Sequence, residues 1–277
     1  MTSRRLGYVS LALAILVWGT AYPIIGVAER YVSPVALAAL RTLIGGAVLA
    51  AISRRLAANL KVFIAGLINI GAFLVLLNLA IALSSNPSLA AVMIYTQPLF
   101  TALATPFVMG RRVSGRQYSG VGVGMAGIAL LVFADAAKLN IGILIGLLGG
   151  VLWSAGTLYY EKRVVPEGLD LVAATAFMSL SSTPLVLAFW PLGMYLKLTP
   201  LSAALIAYIV VVIQAVGWFS WFYGVKALGG VRAGSISMLT PIVAILSTAV
   251  MFREVPTPLE AIASAAVIAG ALVVQLG

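Results

Sequence analysis

Nearly the whole chain consists of apolar stretches of about 18–25 residues, the length that crosses about 30 Å of hydrocarbon as a helix, and only very short polar connections separate them. Lipid cannot pair with backbone N–H and C=O groups, so stretches of this kind must satisfy them internally as helices. The segments run over Leu6 to Val27, Pro34 to Ser53, Asn59 to Leu83, Pro87 to Met109, Gln117 to Ala134, Asn140 to Tyr160, Asp170 to Pro191, Leu201 to Ala227, Ala233 to Phe252 and Pro258 to Gly277. This predicts an all-α polytopic membrane protein with ten transmembrane helices and no soluble domain. Composition agrees: 62% of residues are hydrophobic and 9% charged, against about 25% charged in soluble domains. The first segment follows Arg4 and Arg5 as a signal peptide would, but it is too long, carries Trp18 and Pro23 and lacks a small-residue cleavage site, so it reads as a retained span.

The net charge of +10 raises the question of nucleic acid, and the placement of the charges answers it. With a cytoplasmic N-terminus, one side collects Arg4, Arg5, Arg54, Arg55, Lys61, Arg111, Arg112, Arg116, Lys162, Arg163, Lys226 and Arg232. The other collects Arg30, Lys138, Lys197 and Arg253. That asymmetry follows the positive-inside rule, so the charge reports orientation and anionic headgroups, with both termini cytoplasmic. The chain has no cysteine and no histidine, which removes disulfides, thiolate metal sites and the commonest acid-base group. No cofactor and no metal is expected; the expected partners are a small-molecule substrate and membrane lipids, with a monomer sufficient.

The chain resembles itself. Sliding it by 143 residues superposes Pro98 on Pro241 and Gly127 on Gly270, and a shift of 135 lays Trp18 over Trp153. The matches pair helices one, four and five with six, nine and ten in order, giving repeats over 1–136 and 137–277. Five helices per repeat is an odd number, so the second repeat is expected upside down. Inverted repeats of this kind occur in transporters with a midplane site between the halves.

Two glycine patterns read as packing. The run GVGMAG, Gly122 to Gly127, matches a dinucleotide fingerprint but lies within a membrane-length segment and follows no strand. Gly142, Gly146 and Gly150 have the spacing that lets helix backbones approach, within the chain rather than between copies. Arg41 is the one charge well inside a predicted span. Two readings of it stay open: a cap on backbone carbonyls or the interface, and attraction of a substrate carboxylate. The acids Glu29, Asp135, Glu161, Glu167, Asp170, Glu254 and Glu260 all fall at segment ends or in loops. Ion-driven pumps usually bury a carboxylate, so facilitated diffusion or exchange is favoured over a proton-driven pump.

Within the oily fourth segment, VMIYTQPLF places Tyr95, Thr96 and Gln97 beside Pro98, and the second half repeats the arrangement with Ser237 and Thr240 before Pro241. A proline removes a backbone donor and predicts a bend, with the nearby polar groups turned away from lipid. Such bends suit gating. A substrate site is expected between the halves, lined by Trp18, Tyr22, Asn78, Tyr95, Gln97, Trp153, Trp218, Tyr223 and Ser237, with Asn78 and Tyr223 as equivalent positions. Aromatic faces would hold an apolar group, and amide and hydroxyl groups the polar one. An integral membrane enzyme would need a nucleophile, metal cluster or acid pair, and none is visible. A structural protein would have little reason for paired broken helices. A transporter accounts for both.

The helix-one sequence LVWGTAYPI, the second-helix SPVALAALRTLIGGAVL, the Ala-Leu pair before the turn into helix four and the two proline-centred helices together resemble the drug/metabolite transporter superfamily over essentially the whole chain. The resemblance is to its ten-helix bacterial amino acid exporters, including an aromatic amino acid branch. It implies export of amino acids, aromatic or other neutral ones, across the bacterial inner membrane; the alternative is proton-coupled export of other small metabolites or drugs. One departure stands out. The family often places glycine-glutamate-arginine after the proline helix, whereas the first copy here reads MGRRV, with Arg111 at the acid's position, and the second keeps Glu254.

Overall fold

The computed structural model describes residues 2–84, 92–133, 140–253 and 255–277. Its helices are α1 (Thr2–Ala28), α2 (Pro34–Ser53), α3 (Leu60–Ala82), α4 (Gln97–Met109), α5 (Gly115–Phe133), α6 (Ile141–Glu167), α7 (Leu171–Leu187), α8 (Pro200–Leu228), α9 (Gly230–Phe252) and α10 (Pro258–Gln275). Among the described residues seven of them, α1, α2, α3, α6, α8, α9 and α10, are long and apolar enough to cross a membrane. The other expected spans appear as α4 and α5, whose predicted limits at Pro87 and Ala134 lie outside the described residues, and as the shorter apolar α7. Asp135, Lys138 and Glu254 also lie outside them.

Local chemistry sets where the helices begin. Ser33, Asn59, Asn140 and Asp170 each accept a hydrogen bond from the backbone N–H three residues on, filling donors that a first turn leaves unpaired. Thr199 with Ser202 and Thr257 with Glu260 form reciprocal capping boxes, each followed by a proline in the first turn. Gly110 and Arg253 end α4 and α9 in the left-handed conformation.

Pro98 and Pro241 do not bend the middle of continuous α-helices. Pro98 occupies the first turn of α4, after the 3-10 turn Ile94–Thr96, and Pro241 the first turn of the second stretch of α9, Thr240–Phe252, after a break that follows Gly230–Ser237. A proline at that position lacks only a donor that would have been unpaired anyway. The Ile94 carbonyl, which in a continuous α-helix would lack a donor at Pro98, accepts from the Gln97 N–H, because tightening to 3-10 geometry moves the acceptor one residue closer.

Helix α1 packs on α8 and α9, and α6 packs on α3 and α4. Helix α2 lies against α7 and α8, α7 also against α3, α4 against α9, and α5 against α10. Renumbering every helix five places on leaves this set of neighbours unchanged. The α5–α10 contact is backbone against backbone. A Cβ on Gly120 would meet the Gly270 carbonyl at 2.7 Å, and one on Gly127 would meet the Ala263 carbonyl at 2.7 Å, so the two helices run antiparallel. Of the fingerprint glycines, Gly124 and Gly127 face this seam and the adjoining Met238, while Gly122 meets nothing. Gly142 and Gly150 lie against Ala80 and Thr96, seams within the chain.

The helix ends sort into two groups by their contacts. At the end holding the termini, Tyr8 donates to Gln275 at 3.1 Å and Arg116 to the Leu276 carbonyl at 3.0 Å. There Arg55 pairs with Asp170, Lys61 with Glu167, and Arg111 with Glu161 at 2.7 Å. At the opposite end the α1–α2 turn joins the segment before α8 through the Val32–Leu196 bridge and a Ser33 to Tyr195 backbone bond of 3.0 Å.

The α5–α10 seam gives a direct test. A valine at Gly270 would bring its Cβ to 2.3 Å from the Gly124 backbone nitrogen, which has no side chain to swing aside. Gly270→Val should lower the thermal midpoint markedly, by the 1–3 kcal/mol or so of a strained over-packed contact. Gly122→Val should leave it within error.

Candidate functional site

Three helices each turn one face toward the same space. On α1 the face is Trp18, Tyr22 and Ile25, continued by Glu29 in the turn just beyond it; on α2 it is Pro34, Leu37, Ala38 and Arg41; on α3 it is Phe73, Leu77, Asn78 and Ile81. These spacings of three, four and seven residues are those of one helical face. With Tyr95 ahead of α4, Trp153 on α6, Ile213 and Trp218 on α8, and Thr248 and Phe252 on α9, they enclose a cavity of about 440 Å³. Its wall includes the exposed Arg30, so it reaches the surface at the end away from the termini.

The cavity floor is aromatic. Trp18 meets Trp153 edge-on at a centroid distance of 5.7 Å and Trp218 at 5.2 Å, and Phe73 meets the same two rings at 5.3 and 5.5 Å. Trp221 fills in below, 4.9 Å from Trp153 and 5.9 Å from Trp18. Edge-to-face contacts of this kind contribute about 0.5–1.5 kcal/mol each beyond the area they bury. The Trp18 indole N–H donates to the Ile213 carbonyl at 3.3 Å, made reachable where α8 loosens into a π-helical stretch over Ile209–Val216. The indole nitrogens of Trp153 and Trp218 have no hydrogen-bond partner among the described residues.

The walls carry a short polar inventory. The Tyr22 hydroxyl donates to the Tyr95 hydroxyl at 3.1 Å, and Asn78 donates to the Pro34 carbonyl at 3.3 Å. Arg41, 7% exposed, opens a π-helical turn over Arg41–Gly45, and its Nε makes no hydrogen bond. Glu29, in the turn beyond α1, is partly buried at the mouth, and desolvation raises its carboxyl above the ordinary value.

Of the expected site residues, Trp18, Tyr22, Asn78, Tyr95, Trp153 and Trp218 line the cavity, whereas Gln97, Tyr223 and Ser237 do not. Gln97 is fully buried one layer below, where it donates to Thr101 at 2.9 Å and to Thr157 at 3.4 Å, and Thr101 donates to Ser154 at 3.0 Å. This polar seam ties α4 to α6. Ser237 bonds back to its own helix at the Gly234 carbonyl, 2.7 Å away. Tyr223 sits on the side of α8 away from Trp218, against Phe219. It is five residues from Trp218, and that spacing turns it off the cavity face. Sequence reasoning missed Phe73 and the cavity position of Glu29. For Glu29, eleven residues after Trp18 and so close to a whole number of turns, helical phase was the available signal; Phe73, five residues before Asn78, had none.

Below the seam the end with the termini is closed by charge. Glu161, on α6, takes the Arg111 guanidinium on one carboxylate oxygen and the Gly230 backbone N–H at 2.8 Å on the other. Arg111, the departure from the family pattern, thus has a partner from the other half of the chain.

A solved crystal structure shares the fold over 100% of this chain and 98% of its own, with a TM-score of 0.81 and 21% identity. A protein of Salmonella typhimurium named as a probable amino-acid metabolite efflux pump is 24% identical over 289 residues, covering 99% of this chain and 94% of that one. The uncharacterized inner membrane transporter YedA of Escherichia coli K12 is 23% identical over 272 residues, covering 95% of this chain and 88% of its own. The family profile for EamA-like transporters matches twice, over residues 5–133 and 140–276, and the chain belongs to the EamA-like transporter family.

Proposed function

We propose that this transporter exports amino acids, aromatic or other neutral ones, across the bacterial inner membrane, with the tryptophan-floored cavity as its substrate site. The observation that carries the reading is the cavity itself. It has about 440 Å³, within the range of about 300–1,000 Å³ typical of small-ligand sites. Its floor is aromatic, few polar groups line it, and both halves of the chain contribute. Apolar side chains suit the indole faces; Asn78 and the tyrosine hydroxyls suit the polar end.

Alternating access between inverted repeats, 1–136 and 137–277, is the mechanism we infer. Contacts across α5–α10 are reciprocal: Gly127 meets Ala263 and Gly270 meets Gly120, and each residue of one pair lies 143 positions from its counterpart in the other. Reciprocity between antiparallel counterparts is the mark of a two-fold axis across the helices. Pro98 and Pro241 restart helices at the same repeat position, and Gly110 and Arg253 share the left-handed cap. These matched breaks are where each half would change shape. Among the described residues the cavity opens at the end away from the termini, which with cytoplasmic termini would make this the outward-facing state.

Facilitated diffusion or exchange remains the coupling we favour. The proton-coupled alternative has one observation behind it, the half-buried Glu29 at the mouth with its raised carboxyl. A raised value means that the folded protein takes up this proton at a higher pH than a free carboxyl would. The group loses its charge as pH falls through that raised value.

In liposomes under a pH gradient alone, internal substrate should approach the external concentration and stop there. Accumulation beyond equality that an uncoupler abolishes, and that Glu29→Gln loses, would establish proton coupling instead. Trp18→Ala, Asn78→Ala and Tyr95→Ala, normalised to folded protein, should each weaken binding by about 1–3 kcal/mol, or roughly 5- to 150-fold. Tyr223→Ala should leave affinity unchanged. Unaltered transport constants in the first three variants would remove the cavity from consideration. For orientation, an impermeant maleimide on intact cells should label Met194→Cys and spare Ser114→Cys.

A further inference from the structure

Arg41 is the charge in this cavity that the fold does not explain. It lies within the membrane-length helix α2 and is 93% shielded from solvent by the surrounding helices. No acid pairs with it: the ion pairs among the described residues involve Arg55, Lys61 and Arg111, all at the end with the termini. Neither of the roles that would make it structural is filled. Its guanidinium donates to no backbone carbonyl among the described residues, and at this burial it does not reach the interface. Yet it lines the cavity, one helical turn from Leu37 and Ala38, in the same wall as Tyr22, Asn78 and Tyr95. A guanidinium at membrane depth without a counter-ion is costly, and removing one partner from a buried pair costs far more than either charge at the surface. The acid that shares this cavity among the described residues, Glu29, stands at its mouth beside Arg30.

We propose that Arg41 is the anion-recognition residue of this site and that its ligand is the carboxylate of the transported molecule, taken bidentately by the guanidinium while the rest of the substrate lies on the aromatic floor. The assignment rests on the transport reading above and names the residue that takes the amino acid's carboxylate. Arginine is the fitting cation here, since its planar fork matches a carboxylate and its charge survives burial. A site built this way rejects an analogue without the charge, because the guanidinium then stays buried and unpaired.

The test uses the full-length protein in nanodiscs and two pairs of probes: L-phenylalanine with L-phenylalaninamide, and hydrocinnamate with hydrocinnamamide. Binding is read by ligand-induced thermal shift and by competition. The wild type should prefer each acid over its amide by at least about tenfold, the discrimination expected of a charge-assisted contact. Arg41→Gln should reduce that preference to near unity, mainly by weakening the acids, and Arg41→Lys should retain part of it. An acid-to-amide ratio near one in the wild type overturns the assignment, as does an undiminished preference in Arg41→Gln or the absence of any response to either acid. Should Arg41→Gln fail to fold, the wild-type ratio and Arg41→Lys decide. The two readings fail differently. Amino acid transport that ignores Arg41 removes this assignment and leaves the exporter standing. Arg41-dependent hydrocinnamate binding without any amino acid response keeps the anion site and removes the amino acid reading.

Discussion

The contact between Trp18 and Trp153 is the one on which the rest of the molecule depends. The two residues occupy related positions in the two halves of the chain, and they meet each other edge-on in the middle of it. Helices gain little from the hydrophobic effect when their surroundings are lipid, so shape complementarity and close approach must hold them together. The indoles provide shape at the centre, and the glycine seam of α5 and α10 provides close approach at the periphery. The cavity exists because the central rings are large, rigid and mutually braced: Phe73 and Trp218 touch both members or their neighbours, and the space above them is left for something else. Ring packing that joins the halves therefore also defines the floor of the space they enclose.

Much of this was legible beforehand because membrane depth leaves few options for the backbone. Segment length placed the starts at Pro34, Asn59, Asp170, Leu201 and Pro258, each within a residue of the helix observed, while the caps at Ser33, Thr199 and Thr257 that fix them went unread. The prolines were visible, but their effect was not. Whether a proline bends a helix or restarts it depends on what the preceding residues do, and the 3-10 turn over Ile94–Thr96 has no signature in composition. The site was legible where helical phase is simple. Trp18 and Tyr22, four residues apart, both line the cavity, while Tyr223, matched to Asn78 by sequence shift alone, is turned away. An equivalence drawn along the sequence does not carry the side chains with it: α3 and α8 both contain a π-helical stretch, over Leu67–Ala72 and Ile209–Val216, yet Asn78 lines the cavity and Tyr223 does not.

The polar residues follow one rule, that groups within the bundle must bond to something inside it. Gln97, Thr101, Ser154 and Thr157 bond to one another across α4 and α6, with the Gln97 amide oxygen left over. Thr42 bonds to Thr183, and Ser179 and Gln214 bond to each other across α7 and α8. These networks account for most of the hydroxyl and amide groups that seemed to invite a ligand. Among the described residues, the buried groups left without a hydrogen bond divide between the cavity wall, with the Arg41 Nε and the Trp153 and Trp218 indoles, and the interior behind it, where Asn69, Gln97 and Gln214 each keep an amide oxygen unpaired.

Four of the five tryptophans share that central cluster, and the fifth, Trp190, is 63% exposed and well apart in the chain. Indoles whose centroids lie 4.9–5.9 Å apart are close enough for their electronic transitions to interact. The circular dichroism expected of such a group depends on the angles between the rings, most of all in the far-ultraviolet band where the indole transition is strong. Because the rings come from α1, α6 and α8, any movement of one half against the other rotates those angles. The protein thus carries a built-in optical gauge of the relation between its two halves, readable in unmodified material without a label.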